Sequence, residues 1–375
     1  MAHSFNFVTI VLLLGASQGV FLAFLLFNKP GNKTANRFLA LLMISYSAFI
    51  AESSISGTPL AMKFPHLLGL AAGVIFLVPP LHYLYARSLI SSDFTFSKKQ
   101  LLHFIPFISF YLYYLFPYYL KSGAYKITHI ETIALEGSPP DLVFFNWVVI
   151  FQGIIYMGMT LRLLKKHSLN IKDNFSSIEK INLNWLRNIT VMTIILWSLG
   201  LVIEFLQLFD LALSVDVLVA LATAILIYAM GYLGLRQPEI FSGNTEIKDL
   251  KKYERSGLTK TKAQELHEKL VHLMETKKPF TDSNLKLNQL AKMISTTPNY
   301  LSQVINEERQ QNFFDFVNWY RIEEAKKLIK DASDQQSTLL SIAYEVGFNS
   351  KSAFNTSFKK HTQRTPSQYR KDIFS

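Results

Sequence analysis

A 25-residue stretch near the start of the chain, residues 4–28, contains no Asp, Glu, Lys or Arg. A helix needs about 20 consecutive apolar residues to cross the hydrocarbon core of a bilayer. No basic segment precedes this stretch and no small-residue cleavage site follows it, so we expect an uncleaved membrane helix instead of a signal peptide. Backbone polar groups find no water inside a bilayer, which restricts such a segment to helical structure.

Six further apolar stretches repeat this pattern. They lie at about residues 37–56, 66–90, 101–120, 142–164, 186–208 and 213–235. Hydrophobic residues make up 50% of the 375 residues and charged residues only 17%, which agrees with this interpretation. The sequence predicts an all-α protein whose residues 1–236 form a polytopic bundle of about seven transmembrane helices. Pro79 and Pro80 lie within the third span and predict a kink there.

The charges of the loops predict an orientation. The loops after the first, third and fifth spans contain 12 Lys or Arg residues, whereas the alternate loops contain three. Basic residues are in excess in cytoplasmic loops. We therefore expect a multi-pass protein of the bacterial cytoplasmic membrane, with its N-terminus outside and its C-terminal part in the cytoplasm.

Glu52 and Glu204 lie inside the predicted outer ends of the second and sixth spans. An ionisable residue within a membrane is costly and is a functional hypothesis by default. One interpretation is an outward-facing site that senses a cation or an amine-bearing ligand. The alternative is that these residues are polar caps at the water interface. Asp210 and Asp216 bracket a short loop and fit the second interpretation.

The composition also excludes several classes of site. Cysteine is absent, which excludes a disulfide framework, a thiolate metal site and a cysteine nucleophile. The spans contain no paired mid-membrane charges, and the chain has no Gly-rich ATP-binding segment. We expect no catalytic residue, no cofactor and no metal, so the chain is not predicted to be an enzyme. The net charge of +11 is shared between both halves of the chain.

Residues 237–280 are predicted to connect the bundle to a C-terminal domain. Residues 244–256 are polar and predict an exposed linker. Further on, Leu266, Leu270, Leu273 and Met274 recur at helical spacing with charges opposite, which predicts an amphipathic helix. That helix either packs onto the following domain or pairs two subunits.

Residues 281–375 contain two patterns of a short helix, an interruption and a polar second helix. In the first, apolar residues recur at helical spacing from Leu285 to Ile294, Pro298 suits the first turn of the next helix, and residues 299–306 follow. A long helix from Phe313 to Ile329 separates the two patterns. A short helix, a turn and a polar helix are the elements that place side chains in a DNA major groove.

The second pattern runs from Leu339 to Val346, turns at Gly347 and continues from Ser350 to His361. Thr365 and Pro366 then predict the N-cap and first position of a short final helix.

Residues 285–371 resemble the DNA-binding domain of the AraC/XylS family, in which a long helix joins two helix-turn-helix subdomains. The resemblance rests on Leu290-Ala291, Tyr300-Leu301-Ser302, Tyr320-Arg321-Ile322, Ala325, Leu328, Ile342-Ala343, Val346-Gly347-Phe348, Ser350, Ser352, Phe354, Phe358-Lys359-Lys360, Thr365-Pro366 and Tyr369-Arg370. The family usually has glycine just before the Thr-Pro stretch, where this chain has Gln363. A left-handed backbone there costs about 1 kcal/mol, and we expect a locally altered turn with the fold retained.

The resemblance implies that two recognition helices enter successive major grooves on one face of double-stranded DNA. It assigns five outward-pointing contact residues to the first helix: Asn299, Tyr300, Ser302, Gln303 and Asn306. It assigns five to the second: Lys351, Ser352, Asn355, Thr356 and Lys359. Lys359, Lys360, Arg364 and Arg370 are expected to contact phosphates. Neither predicted helix contains arginine, which favours readout weighted to A·T pairs.

Three functions are compatible with this organisation. The leading hypothesis is a membrane-bound one-component transcriptional regulator that binds promoter DNA, with the lipid bilayer, a second copy and an unknown small-molecule or membrane signal as partners. In this hypothesis the signal passes from the seventh span through residues 236–275. The alternatives are a passively anchored regulator and a transporter-like membrane protein with a DNA-binding appendage. Substituting Glu52 and Glu204 would separate a sensor from an anchor.

Overall fold

The computed structural model describes residues 7–56, 58–91, 94–207, 216–238, 257–331 and 338–374. Across these residues the chain is nearly all helical and forms no strand, as predicted. It divides into two compact units: an apolar unit of residues 1–165 and 183–242, and a C-terminal unit of residues 166–182 and 243–375. The predicted polar linker, residues 244–256, lies outside the described residues.

Nine helices begin in the described part of the apolar unit. They are α1 (Phe7–Asn28), α2 (Lys33–Ser56), α3 (Pro59–Lys63), α4 (Val78–Ile90), α5 (Ile105–Tyr114), α6 (Gly123–Glu136), α7 (Pro140–Asn174), α8 (Asn184–Gln207) and α9 (Asp216–Arg236). Six helical stretches are long and apolar enough to cross a membrane: Phe7–Asn28, Lys33–Ser56, Pro65–Ile90, Lys98–Tyr119, Pro140–Asn174 and Asn184–Ile203. In α9, the apolar stretch Leu221–Arg236 is shorter than these six.

The third predicted span is not one continuous α-helix. Short 3-10 helices, Pro65–Leu67 and Ala72–Leu77, precede α4, and Pro79 and Pro80 occupy the first turn of α4. The predicted kink inside a helix is therefore wrong. Proline is tolerated in a first turn because the N–H that it lacks would have no intrahelical partner there.

The fourth predicted span is also composite. It consists of the 3-10 helix Lys98–Phe104, α5 and a π-helical turn, Leu115–Tyr119. Helix α6 follows it and was not predicted.

Helix α7 is longer than predicted. It has 35 residues and ends at Asn174, ten residues after the predicted end at residue 164. At 1.5 Å per residue it is about 52 Å long, which exceeds the roughly 30 Å hydrocarbon core of a bilayer. Lys165, Lys166 and Lys172 are therefore helical residues and do not lie in a loop.

The core of the apolar unit lies where α1 packs against α2 and α9, and where α2 packs against α4. Leu26, Leu39, Leu42, Met43 and Leu84 are fully buried there. A second, aromatic cluster contains Phe76, Phe110, Tyr114, Tyr118 and Val149.

The C-terminal unit contains seven helices among its described residues, besides the end of α7. They are α10 (Lys260–Thr276), α11 (Leu287–Met293), α12 (Pro298–Arg309), α13 (Phe313–Asp331), α14 (Leu339–Glu345), α15 (Lys351–Thr362) and α16 (Pro366–Phe374). Phe316 and Val317 of α13 belong to a first core with α10, α11 and α12. Ile322 and Ala325 of the same helix belong to a second core with α14 and α15. The long helix thus joins two helix pairs.

Helix α10 is the predicted amphipathic helix. Leu266, Leu270, Leu273 and Met274 are buried in the first core. The helix therefore packs onto the domain that follows it, which is the first of the two predicted alternatives.

Candidate nucleic-acid interface

The second helix pair is built around a glycine turn. Gly347 has a left-handed backbone (φ +98°), and a Cβ atom there would lie 2.4 Å from the carbonyl oxygen of Phe280. Ser350 caps α15 by accepting a hydrogen bond from the Ala353 N–H at 3.2 Å. Phe354 and Phe358 bury one face of α15 in the second core. These contacts fix which face of α15 points away from the domain.

The outer face of α15 is polar and basic. Lys351, Ser352, Thr356 and Lys359 are exposed, and Asn355 is half-buried. Lys351 and Lys359 form no ion pair with any residue that the structure describes. The fold therefore brings together all five side chains predicted for this helix, on a surface that can accept an anionic polymer.

The first helix pair presents a different surface. Thr297 caps α12, with Pro298 in its first turn as predicted. Asn299 is exposed, whereas Tyr300 and Asn306 are half-buried. Ser302 and Gln303 are only 3% and 7% exposed, so the prediction that they point outward is wrong.

Hydrogen bonds within α12 engage part of this polar face. The Gln303 amide donates to Glu307 at 2.9 Å, and the Asn306 amide donates to the Ser302 carbonyl at 2.8 Å.

Helix α12 also continues beyond its predicted end and includes Arg309. The statement that neither recognition helix contains arginine is therefore wrong for α12. The Arg309 guanidinium lies over the ring of Trp319, 5.1 Å from its centroid. This contact directs the charge toward α13.

Two of the four predicted phosphate contacts are paired with carboxylates. The Lys360 ammonium lies 2.6 Å from Asp315, and the Arg364 guanidinium lies 2.5 Å from Asp372. Lys359 is exposed and Arg370 is half-buried. Lys359 therefore has the clearest geometry for a phosphate contact among the four.

The turn after α15 takes the left-handed conformation that the family pattern requires. Gln363 has φ 60°, and its N–H donates to the Lys359 carbonyl at 2.9 Å. The expected altered turn is therefore absent, and glutamine adopts the glycine geometry. Thr365 caps α16 as predicted, because its hydroxyl accepts from the Gln368 N–H and the Gln368 side chain accepts from the Thr365 N–H.

Glu52, the predicted sensing residue in α2, binds the backbone of the irregular stretch before α4. Its two carboxylate oxygens accept hydrogen bonds from the N–H groups of Gly69 at 2.5 Å and Ala71 at 2.6 Å. A neighbouring cavity of about 220 Å³ is lined by Glu52, Ala48, Ile55, Ser56, Ala61, Leu67, Leu68, Leu70 and Ala71. Glu204 lies in α8, and its side chain is outside the described residues.

Sequence reasoning missed the structural role of Arg321, which it had quoted only as part of a family pattern. This side chain of α13 is 1% exposed and donates hydrogen bonds to the carbonyl groups of Phe280 at 2.8 Å and Asp282 at 2.8 Å. Its guanidinium also lies over the ring of Phe348. Arg321 therefore connects the first helix pair to the turn of the second. A buried partner of this kind has no local sequence signal.

Known proteins resemble this C-terminal part. Residues 290–372 match the model of a helix-turn-helix domain. An 89-residue segment is 35% identical to an uncharacterized HTH-type transcriptional regulator of Staphylococcus aureus strain COL, and it covers 24% of this chain and 12% of that protein. The uncharacterized HTH-type transcriptional regulator YijO of Escherichia coli strain K12 is 31% identical over 25% of this chain and 32% of its own length. The chain thus spans only a small part of these relatives.

Among solved structures, the C-terminal domain of the two-component response regulator yesN from Fusobacterium nucleatum is 31% identical. It matches 28% of this chain and 98% of its own length, with a TM-score of 0.25. Together with the paired helices and the basic face of α15, the sequence matches define a helix-turn-helix domain in the C-terminal part of the chain. Residues 290–372 therefore form an AraC-type helix-turn-helix domain, which is similar to segments of proteins named HTH-type transcriptional regulators.

Proposed function

We propose that this protein is a membrane-bound one-component transcriptional regulator. In this proposal two helix-turn-helix units, α11–α12 and α14–α15, bind double-stranded promoter DNA, and a signal at the cytoplasmic membrane controls the binding. The observation that carries the DNA-binding part is the exposed face of α15. Its lysine and amide side chains have the chemistry for phosphates and for base edges.

The two recognition helices do not contribute equally in this proposal. Helix α15 presents its contact residues in the described conformation, whereas Ser302 and Gln303 of α12 are buried. A buried side chain cannot hydrogen-bond to a base edge, so Ser302 and Gln303 contact bases only after their immediate surroundings rearrange, whereas Asn299 of the same helix is already exposed. We therefore propose that α15 makes the first contact and that α12 adds sequence readout in the final complex.

The membrane part of the proposal rests on the apolar helices and on the loop charges. Six helices have the length and hydropathy of membrane spans, and α9 is proposed as the seventh. The excess of basic residues in and beside alternate connections, which includes three lysines at the end of α7, favours an N-terminus outside and a C-terminal unit in the cytoplasm, where the DNA is. Two copies in one membrane would raise the effective concentration of paired DNA-binding domains.

The cavity beside Glu52 is the candidate for signal recognition. It is apolar except for the Glu52 carboxylate and the Ser56 hydroxyl. However, both Glu52 oxygens already bind backbone N–H groups. This arrangement equally favours a structural role for Glu52. The second candidate function is therefore a transcriptional regulator whose membrane spans serve only as an anchor.

Genome-wide occupancy separates the two candidates. Discrete promoter peaks for the full-length protein, altered in a variant that carries Glu52→Gln and Glu204→Gln, would support a regulator whose membrane part matters. Unchanged peaks would support the passive anchor. An absence of discrete peaks for both forms would contradict the transcriptional function.

Salt dependence tests the proposed phosphate contact of Lys359. Binding that neutralises phosphates weakens as the salt concentration rises, because bound counterions are released. We expect Lys359→Ala to reduce the slope of log K against log [salt] by about 0.9, the value for one phosphate on duplex DNA. The matched control is Lys330→Ala, an exposed lysine on α13, which should leave the slope unchanged. Equal slopes for both variants would contradict the role of Lys359.

A further inference from the structure

The segment between α7 and α8 lies against the DNA-binding domain. Residues 166–182 belong to the C-terminal unit, although the residues before and after them in α7 and α8 belong to the apolar unit. We call residues 175–182 the α7–α8 segment. Its backbone pairs with the chain just before α11: the Ser176 N–H donates to the Leu285 carbonyl at 3.2 Å, and Phe175 forms an antiparallel bridge with Lys286.

Side chains strengthen this pairing. The Lys286 ammonium lies over the Phe175 ring, 5.8 Å from its centroid. Ser176 is itself only 1% exposed. A polar side chain at this depth must find hydrogen-bond partners, since an unpaired buried polar group is costly.

Arg321 supplies those partners. Its Nη1 donates to the Ser176 carbonyl at 3.0 Å, and its Nη2 donates to the Ser176 hydroxyl at 3.1 Å. The segment therefore completes the hydrogen bonding of the guanidinium that also binds Phe280 and Asp282. Burial lowers the pKa of Arg321 to about 10, while the carboxylates of Glu179 and Asp282 act in the opposite direction. Glu179 belongs to the segment, so its charge complements the buried cation.

The segment also reaches the second helix pair. The Asn349 amide donates to the Ser177 hydroxyl at 2.8 Å, and that hydroxyl lies 2.6 Å from the Glu179 carboxylate. Asn349 stands directly before Ser350, the cap of α15. A hydrogen bond of 2.9 Å between His167 Nε2 and the Ile181 carbonyl connects the segment to the end of α7.

We infer that the α7–α8 segment is an intramolecular ligand of the DNA-binding domain, and that its docking on Arg321 and Asn349 holds the two helix pairs in the orientation that binds DNA. This inference rests on the proposed function. It provides a route from α7 and α8 to both helix pairs, separate from residues 236–275. Fixing the two helix pairs before binding removes an entropic cost from DNA association.

Cross-linking between two introduced cysteines tests the docking. The chain contains no cysteine of its own, so only the introduced thiols can react. Ser177→Cys with Asn349→Cys, in the full chain in membranes, places two thiols where these side chains meet. We expect dibromobimane, which fluoresces when both of its ends have reacted, to label the pair and neither single variant. Adding Ser176→Arg should lower the yield about tenfold, since a second guanidinium cannot share the site with Arg321. Adding Lys180→Arg, at an exposed position of the same segment, should leave the yield unchanged.

DNA affinity tests the coupling. We expect Ser176→Arg to weaken promoter binding by the full-length protein about tenfold, within the usual range of coupling between sites. Lys180→Arg should bind normally, and so should the cross-linked pair. Limited proteolysis that finds the C-terminal unit of Ser176→Arg intact excludes misfolding as the cause.

The outcomes are distinct. Equal cross-linking yields for all variants, or unchanged affinity for Ser176→Arg, would overturn the inference. If no form, including the unmodified protein, prefers any DNA sequence, the proposed function fails and the coupling fails with it. The cross-linking yield still decides the docking in that case.

Discussion

At the scale of the residue, two side chains occupy positions that are energetically costly for their residue type. Arg321 is buried with its donors directed at backbone carbonyl groups, and Gln363 holds a conformation that favours glycine. The surrounding domain stabilises both. The sequence identified Gln363 as the departure from the family pattern, and the hydrogen bonds of Gln363 to the Lys359 and Lys360 carbonyl groups are local. The partners of Arg321, in contrast, are distant in the chain.

Replacing Gln363 with glycine should stabilise the C-terminal unit. Glycine adopts a left-handed backbone without steric cost, so we expect a gain of about 1 kcal/mol in the free energy of unfolding. Urea unfolding of the detergent-solubilised full chain, followed by pulse proteolysis, measures this. The control is Gln264→Gly on the exposed face of α10, which should cost about 1 kcal/mol. A destabilised Gln363→Gly variant would contradict the strain argument.

His361 should make the C-terminal unit less stable in acid. Burial lowers the pKa of His361 below its ordinary 6.5, and the neighbouring Lys360 adds to this, while Asp315 and Glu323 act in the opposite direction. Above pH 6.5 both folded and unfolded states hold a neutral imidazole. As the pH falls below 6.5 the unfolded state takes up the proton first, so the unfolding free energy decreases.

His361→Gln should remove this contribution. The difference between its pH profile and that of the unmodified protein isolates the residue from the other histidines. If the unfolding free energies of the two proteins change in parallel between about pH 7.5 and 5.5, the pKa of His361 is the same in the folded and unfolded states, and the prediction is wrong.

At the scale of the element, the apolar pattern predicted where helices occur but not how they are built. In the third predicted span, side chains from other elements satisfy backbone groups between the two 3-10 helices. Glu52 binds the N–H groups of Gly69 and Ala71, and the Tyr119 hydroxyl donates to the Gly69 carbonyl at 2.7 Å. Irregular backbone at membrane depth is tolerated where protein groups satisfy it in this way.

Two glycines of α7 provide a matched test of helix packing. A Cβ atom on Gly153 would lie 2.4 Å from the Trp197 ring of α8, whereas one on Gly158 would meet no atom within 4 Å. We expect Gly153→Ala to destabilise the apolar unit by about 1–3 kcal/mol through overpacking. Gly158→Ala should be neutral, or stabilising by up to about 1 kcal/mol through helix propensity. Thermal unfolding in detergent compares them, and equal transitions would refute the close packing of α7 on α8.

At the scale of the whole molecule, the loop charges and the DNA-binding domain lead separately to the same orientation. Basic residues are in excess in and beside one set of predicted connections, and in the proposed function this excess puts the C-terminal unit on the side where DNA is found. The proposed regulator requires this topology, because α15 cannot reach a promoter from outside the cell.

Cysteine labelling tests this topology in the natural cysteine-free background. We expect Ser138→Cys, exposed between α6 and α7, to react with a membrane-impermeant maleimide in intact cells. Lys98→Cys, exposed before α5, should react only after the membrane is permeabilised. The reverse result would place the DNA-binding domain outside and would exclude the proposed function.

By itself the sequence determined the helical class, the apolar stretches and the C-terminal helix-turn-helix domain, because each depends on local composition, periodicity and turn chemistry. Helical spacing in α10 and the caps at Thr297, Ser350 and Thr365 are short-range signals of this kind. Tertiary structure alone decided the burial of Ser302 and Gln303, the ion pair of Lys360 with Asp315 and the docking of Ser176 on Arg321. These depend on residues up to 145 positions apart, whose encounter is set by packing and by the need to satisfy buried polar groups, and neither leaves a periodic trace in the chain.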